Sequence, residues 1–257
     1  MTMKLNGSIV FITGASAGIG AACAFAFARE GARLLVAARR KDRLDAMRAD
    51  LTAAGAAGIH AIKLDVRDRA AVERELGNLP EEWRAIDVLV NNAGLSRGLD
   101  KLYAGKVEDW EEMIDTNVKG LLYVTRAVVP GMVERGRGHV INLGSTAGEM
   151  TYPNGAVYCA SKAAERAISD GLREDVLGTP LRVTSVDPGM VETDFSRVRF
   201  HGDEDRAAKV YRGLTPLTPE DVADAIVWAA TRPAHVNIAR VLLTPVDQAN
   251  SLLFNRK

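Results

Sequence analysis

Cysteine is nearly absent from this chain: Cys23 and Cys159 are the only two in 257 residues. Both fall in stretches with helical patterning, so a disulfide framework is not expected and a reducing compartment fits better. Net charge is absent as well. Lysine plus arginine number 33, aspartate plus glutamate number 33, and no long run of one sign occurs, which argues against a nucleic-acid partner. No apolar stretch reaches the roughly 20 residues a bilayer requires, and Met1–Val10 is too short and polar for a secretory signal. A soluble, cytoplasmic protein without a membrane partner is therefore expected. The four histidines, His60, His139, His201 and His235, lack ligand spacing with each other or with the cysteines, so no metal site is expected.

What is present is a regular alternation. Apolar, strand-like runs occur at Ser8–Thr13, Arg33–Ala38, Ile59–Leu64, Val88–Asn91, His139–Leu143, Arg182–Asp187 and Val241–Pro245. Several are apolar over most of their length, as strands covered on both faces should be. Helical patterns lie between them, at Gly18–Glu30, Asp42–Ala54, Asp68–Asn78, Lys106–Arg135, Gly155–Leu177 and Pro219–Ala230. This order predicts an α/β chain: a single-domain, Rossmann-like, doubly wound parallel sheet of about seven strands with helices on both faces. No proline-rich or serine-rich linker and no internal repeat divides it, so residues 1–257 are read as one domain. The polar, irregular stretch 192–217 reads as an insertion, a lid or substrate loop.

The first strand runs into Thr13-Gly14-Ala15-Ser16-Ala17-Gly18-Ile19-Gly20. Glycines at this point permit a tight turn and close backbone approach, and the helix that follows can turn its amides toward a pyrophosphate. The spacing is not that of the usual dinucleotide fingerprint, and an ordinary strand-to-helix turn remains the other reading. The second strand ends in Ala37-Ala38-Arg39-Arg40-Lys41, where an NAD site would carry an acid for the ribose 2′-hydroxyl. Arg39 and Arg40 suit a 2′-phosphate instead, which favours NADP(H); the alternative is a solvated basic loop. Asp42 is expected to serve as a helix N-cap, with Asp45 three residues on, rather than as the ribose acid. Asp65 and Val66 close the third strand and flank the adenine in this reading. Asn91-Asn92-Ala93-Gly94 closes the fourth, with Asn91 fixing the turn and Ala93 and Gly94 letting backbone approach a ribose; ordinary strand-end turn chemistry is the other reading of both stretches.

The sharpest chemical signal is Tyr158 and Lys162, four residues apart on one helix face and following Ser145 by thirteen residues. An ammonium near a phenol favours the phenolate, whose free pKa is about 10, and makes a proton donor and acceptor useful near neutrality. Ser145 follows the fifth strand, where ligands bind in open α/β sheets, and its hydroxyl is placed to donate to a substrate oxygen. It is not set in a Gly-x-Ser-x-Gly elbow, which weakens a hydrolase reading. Asn117 lies inside a helical stretch where asparagine is unfavourable, which leaves either an exposed helix position or a specific role.

Taken in order, the Thr13–Gly20 turn, Asn91–Gly94, Asn117, Ser145, Tyr158, Lys162 and Pro188-Gly189 resemble the short-chain dehydrogenase/reductases over Leu5 to Pro245. The resemblance implies Tyr158 as general acid/base, Ser145 as carbonyl orienter, Lys162 as ribose ligand and tuner of Tyr158, and Asn117 as support for a proton-relaying water. It also implies Pro188, Gly189, Val191 and Thr193 on the cofactor, Thr193 at the nicotinamide carboxamide. Phe195–Asp203, Thr218–Asp221 and Pro233–Ile238 are similar to the NADP-dependent 3-hydroxy acid (serine or L-allo-threonine) dehydrogenases. That similarity implies oxidation of short 3-hydroxy acids, or reduction of the matching semialdehydes or 3-oxo acids, by a homotetramer. The subgroup often has two glycines before the threonine, where this chain has Val191-Glu192.

A small carboxylate requires a cation in its pocket. Arg197 and Arg199 lie in the expected lid; each is either that cation or an exposed or intersubunit arginine. Two rival functions stand beside the first: a broad NADPH-dependent carbonyl reductase of neutral ketones and aldehydes, and a nucleotide-binding regulator without catalysis. Intact Ser145, Tyr158 and Lys162 argue against the second.

Overall fold

The computed structural model describes residues 4–257. Seven strands, β1 (Ile9–Thr13), β2 (Arg33–Ala38), β3 (Gly58–Lys63), β4 (Ile86–Asn91), β5 (His139–Leu143), β6 (Arg182–Pro188) and β7 (Arg240–Leu243), form one sheet in the order β3-β2-β1-β4-β5-β6-β7. Every neighbouring pair is parallel. The helices are α1 (Gly18–Arg29), α2 (Lys41–Ala46), α3 (Arg48–Ala53), α4 (Arg69–Gly77), α5 (Val107–Ile114), α6 (Leu121–Arg135), α7 (Ala156–Asp175), α8 (Phe195–Arg199), α9 (Glu204–Tyr211) and α10 (Pro219–Ala230).

The strand sequence explains the layers. All five residues of β1, Ile-Val-Phe-Ile-Thr, are buried, because neighbouring side chains point to opposite faces and both faces are covered. Val10 and Ile12 pack with Ala24 and Phe27 of α1 and with Val222 and Ile226 of α10. Ile9 and Phe11 face the other way, into a core shared with Val72 of α4 and Val124 and Val128 of α6. The chain builds β1, β2 and β3 in one direction, then returns to lay β4 on the opposite side of β1. The reversal leaves a crevice beyond the carboxyl ends of β1 and β4, where open sheets bind ligands.

Three local expectations differ from the structure. Helix α2 starts at Lys41 with Arg40 at the N-cap position and no side-chain cap. Asp42 therefore lies within the first turn, where it faces the helix dipole, and Asp45 pairs with Lys41 at 2.7 Å. The long helix expected over Lys106–Arg135 is broken by a π-helical segment, Asp115–Gly120. Gly120 there lies against Val66, and a Cβ would come within 2.6 Å of the valine Cγ2. The irregular stretch 192–217 contains the short helices α8 and α9. Among the described residues, no helix is long and apolar enough to cross a membrane.

Candidate active site

A cleft of about 660 Å³ opens at the carboxyl edge of the sheet. Its floor is fixed by side chains at the ends of β1 and β4. Thr13 Oγ1 accepts the amides of Asn92 and Ala93, both at 3.1 Å. Asn92 Nδ2 donates to the carbonyls of Thr13 at 2.8 Å and Gly14 at 3.3 Å. The glycine turn wraps onto this knot. Gly14 has φ +66°, and a Cβ there would meet Asn92 Nδ2 at 2.9 Å. Gly20 is pressed against the same Asn92 amide and the Gly14 carbonyl, so any larger residue would push the turn off the strand.

Gly14, Ser16, Ala17, Gly18 and Ile19 line the cleft, whereas Gly20 is buried behind them. Arg39 and Arg40 line the same end, and Arg40 Nη2 lies 3.3 Å from Ser16 Oγ. Arg39 is half exposed and 3.8 Å from Glu112. Asp65 and Val66 form the neighbouring wall. Burial would raise the Asp65 carboxyl, but hydrogen bonds and charge from Arg67, at 2.6 Å, hold it below its ordinary range. Ala93 and Gly94 line the cleft. Asn91 is turned away: its Nδ2 donates to Thr125 Oγ1 at 3.1 Å and Asn142 Oδ1 at 2.9 Å inside the core. The turn-fixing task expected of Asn91 is carried by Asn92, because alternation in β4 points adjacent side chains to opposite sides.

Ser145, Tyr158 and Lys162 converge on the middle of the cleft. Ser145 is extended at the end of β5, and its Oγ accepts the Ala147 amide at 3.1 Å at the start of a single 3-10 turn, Thr146–Gly148. Its own proton stays available to donate. Tyr158 and Lys162 share the inward face of α7, both less than a tenth exposed. Lys162 Nζ donates to the Leu143 carbonyl at 2.7 Å and to Glu165 Oε2 at 2.7 Å, leaving one of its three donors for the cleft. Burial disfavours this ammonium, but Glu165 and Tyr158 outweigh burial and hold its pKa above the ordinary lysine value. Burial pushes Glu165 the other way for an acid, up to about 7, against the pull of Lys162.

Asn117 is 2 % exposed rather than on a solvated face. Its Oδ1 accepts the Leu95 amide at 2.9 Å, and its Nδ2 donates to the Leu95 carbonyl at 2.8 Å and Ser161 Oγ at 3.0 Å. Ser161 Oγ donates in turn to the Tyr158 carbonyl at 2.7 Å. Asn117 thus ties the loop after β4 to the helix turn that carries Tyr158, without itself lining the cleft.

Pro188, Gly189, Val191 and Thr193 close the far side. Thr193 lies against Gly18, and its Oγ1 accepts the Phe195 amide at 3.1 Å. The two candidate arginines separate here. Arg197 pairs with Asp194 at 3.3 Å and Glu204 at 3.7 Å, away from the cleft. Arg199 lines the cleft, with its guanidinium 5.2 Å from the centre of the Tyr158 ring. Ser96 Oγ at 3.0 Å and Tyr152 Oη at 2.9 Å take two of its N–H groups, leaving three to donate. Among the described residues, no group of three or more His, Cys, Asp or Glu side chains could hold a metal ion.

The short chain dehydrogenase family model matches residues 8–204. The chain belongs to that family. A curated relative of this short-chain dehydrogenase, the NADP-dependent 3-hydroxy acid dehydrogenase YdfG of Salmonella typhimurium (strain LT2), is 52% identical over 242 residues, covering 94% of this chain and 96% of the relative. The NADP-dependent 3-hydroxy acid dehydrogenase of Schizosaccharomyces pombe is 41% identical over 255 residues, covering 99% and 98%. Among solved structures, the closed form of a serine dehydrogenase complexed with NADP+ superposes with a TM-score of 0.91 at 48% identity, covering 97% of this chain and 99% of that one.

This short-chain dehydrogenase also builds its cleft from residues the sequence reading passed over. The tail after β7 supplies Gln248, Ser251, Leu252, Phe254 and Arg256 to the lining. Gln248 Oε1 accepts the Met190 amide at 2.7 Å and packs against Gly189, so the tail braces the segment leading to Thr193. No periodic pattern marks this stretch. Tyr152 and Tyr211 line the cleft as well, and Tyr211 Oη donates to the Val191 carbonyl at 2.9 Å.

Proposed function

We propose that this protein is an NADP-dependent dehydrogenase of short 3-hydroxy acids of the serine, L-allo-threonine or 3-hydroxypropionate type, working equally on the matching semialdehydes or 3-oxo acids in reverse. The observation that carries the substrate class is Arg199, a cation with free donors inside the cleft beside Tyr158. Relatives named for this activity, at up to about half identity over almost the whole chain, support it.

The residues fit a dinucleotide. Gly14, Gly18 and Gly20 leave a cradle beside Asn92 and Thr193 that side chains would fill. Arg39, Arg40 and Ser16 would hold a 2′-phosphate, Asp65 and Val66 the adenine, and Ala93, Gly94 and Lys162 the nicotinamide ribose, with Pro188, Gly189, Val191 and Thr193 at the nicotinamide. When bound, NADP(H) supplies or takes the hydride at the substrate carbon. Tyr158 takes the hydroxyl proton in oxidation and returns it in reduction. Ser145 donates to the same oxygen and stabilises the charge that develops there. Lys162 keeps a positive charge behind the tyrosine. Asn117 acts through Leu95 and Ser161, holding the turn of α7 in place. Arg199 grips the carboxylate and aims the carbinol carbon.

A neutral-ketone reductase is the second reading, favoured by the apolar walls Leu99, Phe195, Val198, Leu252 and Phe254 and by Val191-Glu192. Steady-state kcat/KM for serine and 3-hydroxypropionate against uncharged alcohols and diketones, with NADP and NAD in parallel, separates the two. Preference for the charged substrates with NADP supports the first reading, and preference for uncharged ones rejects it. The segment 192–217 we assign as the lid, since it carries Arg199 and Thr193 over the cleft. A homotetramer is supported by exposed apolar residues Leu102, Tyr103, Val107, Leu122 and Val133 along α5, α6 and the loop before them. Light scattering of the purified protein tests it. A cytoplasmic location is supported by two unpaired, buried cysteines.

A further inference from the structure

Glu165 has no part in the chemistry above, yet it is the most conspicuous charged group in the interior. It sits one turn beyond Lys162 on α7 and is 2 % exposed. Oε2 receives Lys162 Nζ at 2.7 Å, and Oε1 is buried with no partner. Isolated, such a carboxyl would be costly to bury, and a half-satisfied one remains so. On a helix the i, i+3 spacing to lysine usually makes a solvated pair worth little; here both side chains are buried, Lys162 at the cleft wall and Glu165 behind it. The other charged groups that face it extend the network. Asp187 of β6 contributes repulsion. Asp187 and Glu149 are both paired with Arg240 of β7, and Glu149 also approaches Arg166 of α7 at 3.7 Å. Asp187 is therefore largely neutralised, and among the described residues the only cation that contacts Glu165 is Lys162.

We propose that Glu165 is a positioning residue for the dehydrogenase reaction: its carboxylate pins the Lys162 ammonium against the Leu143 carbonyl and attenuates the positive field that ammonium casts on Tyr158. The inference rests on the assignment of Tyr158 and Lys162 made above. The physical logic is charge subtraction. A lone ammonium beside the phenol favours the phenolate, and an anion within hydrogen-bond distance of that ammonium cancels part of the effect. The cancellation itself depends on pH, because burial places the Glu165 carboxyl near neutrality. Below that point the pair carries a net positive charge; above it the pair is neutral. Tyr158 then works against a field that weakens as the solution becomes more alkaline, and the pH response of the enzyme is broadened.

The test is the pH dependence of kcat/KM for hydroxy-acid oxidation in the NADP-loaded enzyme, for wild type, Glu165→Gln, Glu165→Asp and Tyr158→Phe. Glutamine keeps an acceptor for Lys162 and removes the charge. The acid limb is expected to move about one pH unit to lower pH in Glu165→Gln and to steepen, with the dissociation constant for NADP changed less than about threefold because Lys162 keeps its Leu143 anchor. Glu165→Asp retains the charge and should return the limb toward the wild-type position. A limb that coincides with wild type in Glu165→Gln, or an equal displacement in Glu165→Asp, overturns the proposal. Tyr158→Phe separates the two levels: activity retained there overturns the Tyr158 assignment itself, whereas loss of activity with an unmoved Glu165→Gln limb overturns this inference alone. Should Glu165→Gln fail to fold, carbon-13-labelled glutamate in the wild-type enzyme gives a readout independent of turnover. A carboxyl resonance that titrates over the same pH range as the acid limb of kcat/KM supports the coupling, and one with no inflection there rejects it.

Discussion

Arg199 and Tyr158 were both visible as residue types, but only one of them was visible as a role. The spacing of Tyr158 and Lys162 places them on one helix face whatever the tertiary structure, so their partnership could be read directly. Arg197 and Arg199 share the same polar segment, and nothing local separates them; the turn of α8 sends one to Asp194 and Glu204 and the other into the cleft. Arg199→Ala should raise KM for serine or 3-hydroxypropionate about 10- to 100-fold, the range for a lost hydrogen bond to a charged group. Neutral alcohols should change little, and equal losses on both would reject the carboxylate role. Arg40→Ala should raise KM for NADP by roughly tenfold or more and leave NAD nearly unchanged, as a fork lost from a 2′-phosphate would; parallel titration with both cofactors checks this. Glu165 was illegible for the opposite reason. Three residues beyond a lysine on a helix, it looks like an ordinary surface pair, and only burial reveals otherwise.

At the scale of elements, strands were easy to place because buried parallel strands are continuous apolar runs; β2 and β5 begin and end where the pattern does. The helix boundaries that failed did so for identifiable reasons. Asp42 had the right residue type for a cap but the wrong position, since the chain turns into α2 at Lys41. The π segment at Asp115–Gly120 brings Gly120 against Val66, more than fifty positions away in sequence, a contact no periodicity encodes. A cap that does form is Thr218, whose Oγ1 accepts the Asp221 amide at 3.3 Å while Asp221 accepts the Thr218 amide at 2.7 Å, with Pro219 in the first turn. Thr218→Ala should cost about 1 kcal/mol and lower Tm by about 2–4 °C, measured by thermal denaturation. Because α10 packs on α1 behind the glycine turn, that loss should leave kcat at ordinary temperature intact.

The whole molecule carries its acid sensitivity in buried groups rather than in its balanced surface charge. His139 opens β5 nearly without exposure, with Nε2 bonded to Thr184 Oγ1 at 2.7 Å. Burial, aided by Arg182, holds its pKa well below the usual histidine value. The folded protein keeps the ring neutral, while the unfolded chain takes up a proton below about pH 6.5. The unfolded state therefore binds more protons as the solution is acidified, and stability is lost as pH falls through that value. Asp65, Glu112 and Glu149, each held low against burial by arginine partners, add a further loss that begins near their unfolded values of about 4 to 4.5 and continues below them. Glu165, raised to about 7, holds a proton in the folded state across the histidine's range and offsets it, so His139→Gln should raise Tm at pH 5 relative to its value at pH 7 more than the wild type does; an identical change in both proteins would assign the sensitivity elsewhere. The sheet and its switch point were legible because they follow from the order of strands and helices. The cleft was legible only on the side built by β1, β4, β5 and α7, since its other wall comes from segments with no repeating pattern.

That second wall has a practical corollary. Gln248 clasps Met190 and Gly189, Arg256 bonds the carbonyls of Val210 and Arg212, and the Lys257 amide reaches Gly213. The two late stretches thus hold one another, while Val191 and Leu217 anchor the first of them to the core beside α1 and α10. Because each stretch is braced by the other, grafting residues 190–217 together with 246–257 from a sister enzyme should give a folded chimera, whereas exchanging either stretch alone would leave mismatched halves.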